Sequence, residues 1–249
     1  MGMEKGEKMI EIRNLKKSYG GKQAVKGMNL SIEKGCIFGF LGPNGAGKTT
    51  TISMMTGIVD PSEGDVLLNG FSISKEPVKA KYQFGLVPDS PDMFLMLTGI
   101  EYLNFMGDLY QVEKSIRDQR ILDLAEKFEM KEALGSKIKG YSHGMRQKII
   151  LMSALVHEPP IWILDEPMTG LDPKSAHILK EMMRAHADKG NVVLFSTHVL
   201  DVAEKICDQI AIIDKGEVLY SGSIETMRET YPSDESLESI FLEMTNHES

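Results

Sequence analysis

Two cysteines, a single tryptophan and no long apolar run occur in these 249 residues. Cys36 and Cys207 stand far apart, with no CxxC or Cys/His metal spacing, so they read as buried, reduced thiols. A disulfide framework and a cysteine metal clasp are thereby excluded. The longest apolar run, Ile149 to Val156, is less than half of the roughly 18 residues that a spanning helix requires. Met1 to Lys8 is charged, without the apolar stretch of a secretory signal, and Gly6 stands where N-myristoylation asks for Ser or Thr. A chain made and kept in the cytosol is the expectation. Clustered basic charge is also missing: the net charge is −8 and the Lys and Arg residues are scattered, which argues against nucleic acid as a partner. What remains, 42% hydrophobic and 26% charged, is the make-up of a globular protein with a substantial core. The length suits one large domain or a core carrying an inserted subdomain.

Short strand-like runs come first: Met9 to Ile12, then Met28, Leu30 and Ile32 in alternation. Cys36 to Leu41 is a continuous apolar strand that runs into a glycine-rich turn, and Thr49 to Gly57 reads as the helix after it. Asp65 to Leu68 is a strand closed by Asn69-Gly70, and Phe84 to Val87 is a short buried strand ending at Pro88. From there to about Glu158 the pattern is helical. Thr98 and Glu101 form a capping box ahead of Tyr102, Phe105 and Leu109. Ile121, Leu124, Ala125 and Phe128 give a second stripe, and Ile149, Met152 and Val156 a third. Strands return at Ile161 to Leu164, Val192 to Phe195 and Ile210 to Ile213. Strands alternating with helices predict an α/β fold with a largely parallel sheet covered on both faces, and the helical block reads as an insertion into it.

Gly42-Pro43-Asn44-Gly45-Ala46-Gly47-Lys48-Thr49 is a P-loop set between a buried strand and a helix. Its glycines let backbone N–H groups converge on a phosphate, where the helix dipole adds positive potential. Lys48 would reach the β- and γ-phosphates and the Thr49 hydroxyl would bind Mg²⁺. A chain of this length matches the pattern by chance about once in a hundred, and the strand–loop–helix context lowers that further. Ile161-Trp162-Ile163-Leu164-Asp165-Glu166 is an apolar strand ending in two carboxylates. Parallel sheets bind ligands at the carboxyl ends of their strands, so Asp165 suits the surroundings of Mg²⁺ and Glu166 suits polarising an attacking water.

Further segments fit one family together, and nearly the whole chain resembles the nucleotide-binding subunit of ABC (ATP-binding cassette) transporters. Tyr141-Ser142-His143-Gly144-Met145 resembles the signature loop, Gly170-Leu171-Asp172 the D-loop, and Ser196-Thr197-His198 the switch-histidine segment. Tyr19, upstream of the P-loop, matches the aromatic that stacks on adenine. Their shared order is what makes the resemblance specific. It implies a P-loop NTPase (RecA-like) core with an antiparallel β subdomain and an inserted α-helical subdomain. Residues 1–88 and 159–222 would be the ATP-binding core with the β subdomain, 89–158 the helical subdomain, and 223–249 a C-terminal tail. It also implies two subunits facing head to tail, each ATP held between one P-loop and the partner's signature loop. Tyr19, residues 42–49 and Thr50 would then bind ATP in cis, and Ser142, His143 and Gly144 in trans. Glu166 and His198 would be catalytic, Thr49, Asp89 and Asp165 would serve Mg²⁺, and Asp172 would belong to the D-loop. The implied partners are ATP, a second copy or a homologous ATPase subunit, and a polytopic membrane permease that holds the chain on the cytoplasmic face.

Two positions depart from the family pattern. His143 and Met145 replace the second and fourth residues of the usual Ser-Gly-Gly-Gln signature, which resembles an exporter-like branch. Asp89 stands where the family commonly has Gln, and Pro88-Asp89-Ser90-Pro91 also reads as a plain turn. Met93, Met96 and Met106 follow it, suited either to an adaptable interface with a membrane subunit or to core filling. Leu237 to Met244 forms a small amphipathic stretch. Two rival functions remain: a soluble ABC ATPase acting on ribosomes or DNA, and a nucleotide-gated dimerisation switch with little turnover.

Overall fold

The structure, a computed structural model, describes residues 7–90, 94–230 and 236–246; Pro91 and Met93 lie outside them. A six-stranded sheet has the order β10-β9-β3-β8-β7-β6. It is built from β3 (Cys36–Leu41), β6 (Phe84–Val87), β7 (Ile161–Asp165), β8 (Val192–Thr197), β9 (Gln209–Asp214) and β10 (Glu217–Ser223). All its pairings are parallel except β9 with β10, an antiparallel hairpin at the edge. A second, antiparallel sheet runs β2-β1-β4-β5, from β1 (Lys8–Tyr19), β2 (Lys22–Glu33), β4 (Glu63–Leu68) and β5 (Phe71–Ser72).

The central strands are apolar throughout because the pleat sends alternate residues to two different cores. Phe38 and Phe40, Ile161 and Ile163, Val192 and Leu194 enter a core shared with the antiparallel sheet and α1 (Lys48–Met55). Trp162 and Leu164, Val193 and Phe195 enter the opposite core, against the helices α3 (Gly99–Leu109), α4 (Lys114–Lys127), α5 (His143–Leu155) and α6 (Pro173–Asp188). So the sheet is covered on both faces, one of them largely by a second sheet. A third cluster joins Leu41, Ile210 and Ile212 to Ala203 of α7 (Leu200–Ile206), Met227 of α8 (Ile224–Thr230), and Leu237 and Ile240 of α9 (Leu237–Asn246). The short α2 (Pro77–Lys81) packs beside β5.

Between β6 and its parallel neighbour β7 the chain makes α3, α4 and α5. Thr98 caps α3 reciprocally: its hydroxyl accepts from the Glu101 N–H at 3.3 Å and Glu101 accepts from the Thr98 N–H at 2.8 Å. The buried face of α3 is rotated from the expected stripe. Gly99, Tyr102, Leu103 and Gly107 are buried, whereas Phe105 and Leu109 are exposed. A Cβ on Gly107 would meet the Arg117 side chain of α4 at 2.1 Å, so the bare glycine lets the two helices approach on that side. Phe105 instead tilts against Phe94, with ring centroids 5.5 Å apart. The stripes of α4 and α5 are buried as expected. Both cysteines are free, but Cys207 is only partly buried where a core thiol was expected, since it lies just past the end of α7.

Candidate active site

The carboxyl ends of β3, β6, β7 and β8 deliver the predicted residues to one edge of the parallel sheet. After β3 the chain turns at Gly42, where an added Cβ would lie 2.3 Å from the Ile213 carbonyl oxygen of β9. Only glycine allows that approach. Gly47, at φ +108°, precedes α1 without any side-chain cap, so the first N–H groups of the helix face the loop's own hollow. Lys48 is buried and folds across the loop, donating to the carbonyl oxygens of Gly42 at 2.6 Å and Pro43 at 3.2 Å. Burial holds its ammonium below the ordinary lysine range, opposed in part by the Glu166 and then the Asp165 carboxylates. A cation kept in place by backbone oxygens is suited to exchange them for a phosphate.

The hollow is a cavity of about 190 Å³ lined by Asn44, Gly45, Gly47, Lys48, Thr49, Thr50, Asp89, Asp165 and Glu166. Asp89 therefore reaches the same wall as the P-loop. Next to it lies a wider cleft of about 700 Å³, lined by Tyr19, Lys22, Lys26, Gly45 and Thr50. Tyr19 is half exposed there, with the Lys17 ammonium 5.1 Å from its ring centroid. Thr49, Asp89 and Asp165 offer hard oxygen donors. Among the described residues, no three or more His, Cys, Asp or Glu side chains are grouped to hold a metal ion. Such a sparse oxygen set fits Mg²⁺, which takes one or two protein oxygens and fills its shell with phosphate and water.

At the end of β7, Asp165 is buried and Glu166 adopts a left-handed backbone, φ +48°. Ser196, opposite Asp165 in the β7–β8 register, ties both together. Its hydroxyl donates to Asp165 and accepts from the Glu166 N–H, the latter at 3.2 Å. His198 Nδ1 lies 3.0 Å from Glu166 Oε1, so the histidine after β8 holds the carboxylate from the solvent side. Sequence reasoning named the Ser196-Thr197-His198 segment but missed the work of Ser196. The pairing of two apolar strands that both end in polar residues was the available signal.

Ser142, His143, Gly144 and Asp172 line neither cavity. Ser142 caps α5, accepting from the Met145 N–H at 3.3 Å, and stays exposed. Asp172 caps α6, accepting from the hydroxyl and the N–H of Ser175 at 2.6 and 2.9 Å, with Lys148 of α5 3.2 Å away. The Ser175 hydrogen bonds, followed by Lys148, hold its carboxyl well below the usual range. The two loops touch: a Cβ on Gly170 would meet the His143 ring at 2.1 Å, and one on Gly144 the Gly170 oxygen at 2.8 Å. Lys148 and Gln147, whose amide donates to the Pro167 oxygen at 3.4 Å, are further links that sequence reasoning missed.

The ABC transporter family matches residues 25–169, more than half of the chain. The linearmycin resistance ATP-binding protein of Bacillus subtilis (strain 168) is 39% identical over 215 residues, covering 86% of this chain and 69% of the relative. A solved ATP-binding subunit of an ABC transporter superposes with TM-score 0.91 at 31% identity, over 95% of this chain and 99% of that one. A dimeric bacterial ABC transporter cassette gives TM-score 0.79 at 25% identity, over 87% and 99%. The chain belongs to the ABC transporter family, as one of its ATP-binding subunits.

Proposed function

We propose that this chain hydrolyses ATP between two head-to-tail copies, or with a homologous ATPase subunit, and so drives a membrane permease that exports its cargo. The observation that carries this reading is the Glu166 carboxylate on the wall of the P-loop cavity, held by His198 at 3.0 Å. The phosphates of ATP lie against the N-terminus of α1 and the P-loop N–H groups, with Lys48 moving from the Gly42 and Pro43 oxygens onto them. Tyr19 stacks on adenine at the mouth of the wider cleft. Thr49, Asp165 and Asp89 would hold Mg²⁺, which would supply charge neutralisation to the phosphates. Glu166 accepts a proton from the attacking water, and His198 keeps that carboxylate aimed. Ser196 locks the backbone from which Glu166 projects.

Ser142, His143 and Gly144 stand apart from this chain's own cavity, and the start of α5 beside them is a second anion-binding helix end. In a head-to-tail pair they close over the partner's γ-phosphate. The contact of Gly170 with His143 links that loop to the D-loop carrying Asp172. ATP then holds the pair together and its hydrolysis releases it. The relative named for linearmycin resistance supports export, since removing a toxic compound confers resistance. Among the described residues no helix is long and apolar enough to cross a membrane. Membership of the ABC transporter family is what supports assigning the pathway to a separate permease and this chain to its cytoplasmic face. Steady-state ATPase measurement on Glu166→Gln tests the catalytic part. The variant keeps the shape and removes the base, so turnover falls by about a hundredfold or more while nucleotide affinity stays within a few-fold. Turnover near wild type would remove Glu166 from this role.

A further inference from the structure

The far end of β7 carries a third cavity that the proposed ATP chemistry does not use. It is a half-open hollow of about 200 Å³ where α4 and α5 meet β7 and α6. Trp162 lines it, fully buried, three residues before Asp165 on the same strand. An indole N–H can only donate, and that of Trp162 has no acceptor among the described residues. A buried donor left unmatched is costly, so the position calls for an acceptor. His186 lines the same hollow, its ring edge-on to Trp162 at 5.9 Å, and its Nε2 is likewise buried without a partner. Burial pushes the imidazole down to about 4, with Lys189 adding to the effect, so it is neutral near pH 7.

The charges at the rim are uneven. Arg120 is engaged by Glu158 and by the Val156 oxygen, while Asp123 accepts from the neutral Gln119 amide and keeps its charge, so three cations share the rim with two carboxylates. Lys127, which ends α4, and Lys189, which follows α6, both line the hollow and have no acidic partner within ion-pair distance among the described residues. Leu124, Leu155 and Met182 line it with apolar surface. Beyond Met182 and Ala185 the surface continues into a shallower hollow of about 280 Å³, with Ile178 on its wall.

We propose that this junction binds a small amphipathic monocarboxylate, its head between Lys127, Lys189 and the Trp162 N–H and its apolar tail along Met182 towards Ile178. A cation or a neutral polar molecule would leave the positive excess of the rim unmatched, and a head without a tail would leave the Met182 side unused. Such a ligand bridges the helical excursion and the strand that ends in the catalytic carboxylates. The inference is independent of the ATP reading, because none of these residues touches the P-loop cavity.

Trp162 is the sole tryptophan, so its emission reports on this hollow alone. The test titrates the full chain with octanoate, and separately with octanol and octylammonium, which keep the tail and change the head. Octanoate is expected to shift the emission saturably, with a Kd on the order of 1 mM or tighter for about ten non-hydrogen atoms. The double variant Lys127→Gln/Lys189→Gln is expected to weaken binding about tenfold, and Ala185→Leu, which fills the shared wall, to abolish it. All three substitutions fall on exposed residues, so the melting temperature and ATP affinity are expected to hold. An unsaturable response, equal shifts from all three compounds, or wild-type octanoate affinity in the lysine variant would overturn the proposal.

Discussion

At the scale of single residues, the site depends on a few groups that do two things at once. Ser196 is the sharpest case, donating to the buried Asp165 carboxylate and accepting from the N–H of Glu166, whose backbone is left-handed. Ser196→Ala leaves a buried carboxylate oxygen and an N–H unmatched, a loss of about 1–3 kcal/mol where the Glu166 backbone is held. The expected result is a kcat lowered by about tenfold to a hundredfold with ATP affinity within a few-fold of wild type. Stopped-flow nucleotide binding beside steady-state turnover separates the two, and a large loss of affinity with unchanged kcat would contradict a positioning role. The P-loop and the Asp-Glu pair were legible because their spacing itself carries the chemistry. Ser196 was legible only as part of a segment, since its work lies in a cross-strand register that no local pattern prints.

Elements were readable where the burial period was clean and blurred where a partner element decided. β3, β6 and β7 stand where their apolar runs place them, because both faces of these strands are buried. β1 runs to Tyr19, well past the expected Ile12, because hairpin pairing with β2 carries the polar stretch from Arg13 to Ser18. The rotated face of α3 came from Gly107 and Arg117, a contact between helices that a one-helix stripe cannot contain. That rotation leaves Phe105 and Leu109 on the surface, together with Phe94 and Met96 of the preceding segment; Phe94 is 46% exposed and stacks on Tyr102 at 5.1 Å. Exposed apolar clusters of this kind mark contact surfaces, and the proposed permease would dock on this one. Phe94→Asp forfeits a stacking contact of about 1 kcal/mol, so the melting temperature should fall by only about 2–4 °C. Basal ATPase is expected to persist while the chain detaches from permease-bearing membranes in a flotation assay. Retained membrane association, or a collapse of the melting temperature, would place the interface elsewhere.

At the scale of the whole molecule, the proposed head-to-tail pairing would make one chain half of two composite sites. Its own cavity gathers the P-loop, Asp89, Asp165 and Glu166, while Ser142, His143 and Gly144 sit apart from it beside the D-loop. Sequence order alone made that separation readable only through resemblance, because nothing local in Ser142-His143-Gly144 says whether its phosphate partner lies in the same chain. If ATP is the bond between two copies, stopping hydrolysis must make that bond long-lived. The direct measurement is the mass of Glu166→Gln in Mg²⁺-ATP by light scattering coupled to size exclusion. The account predicts a monomer without nucleotide, a dimer with ATP, and a return to monomer when Ser142→Arg is added, while ATP affinity is retained. A Glu166→Gln chain that binds ATP and stays monomeric, or a dimer that Ser142→Arg leaves intact, would contradict it.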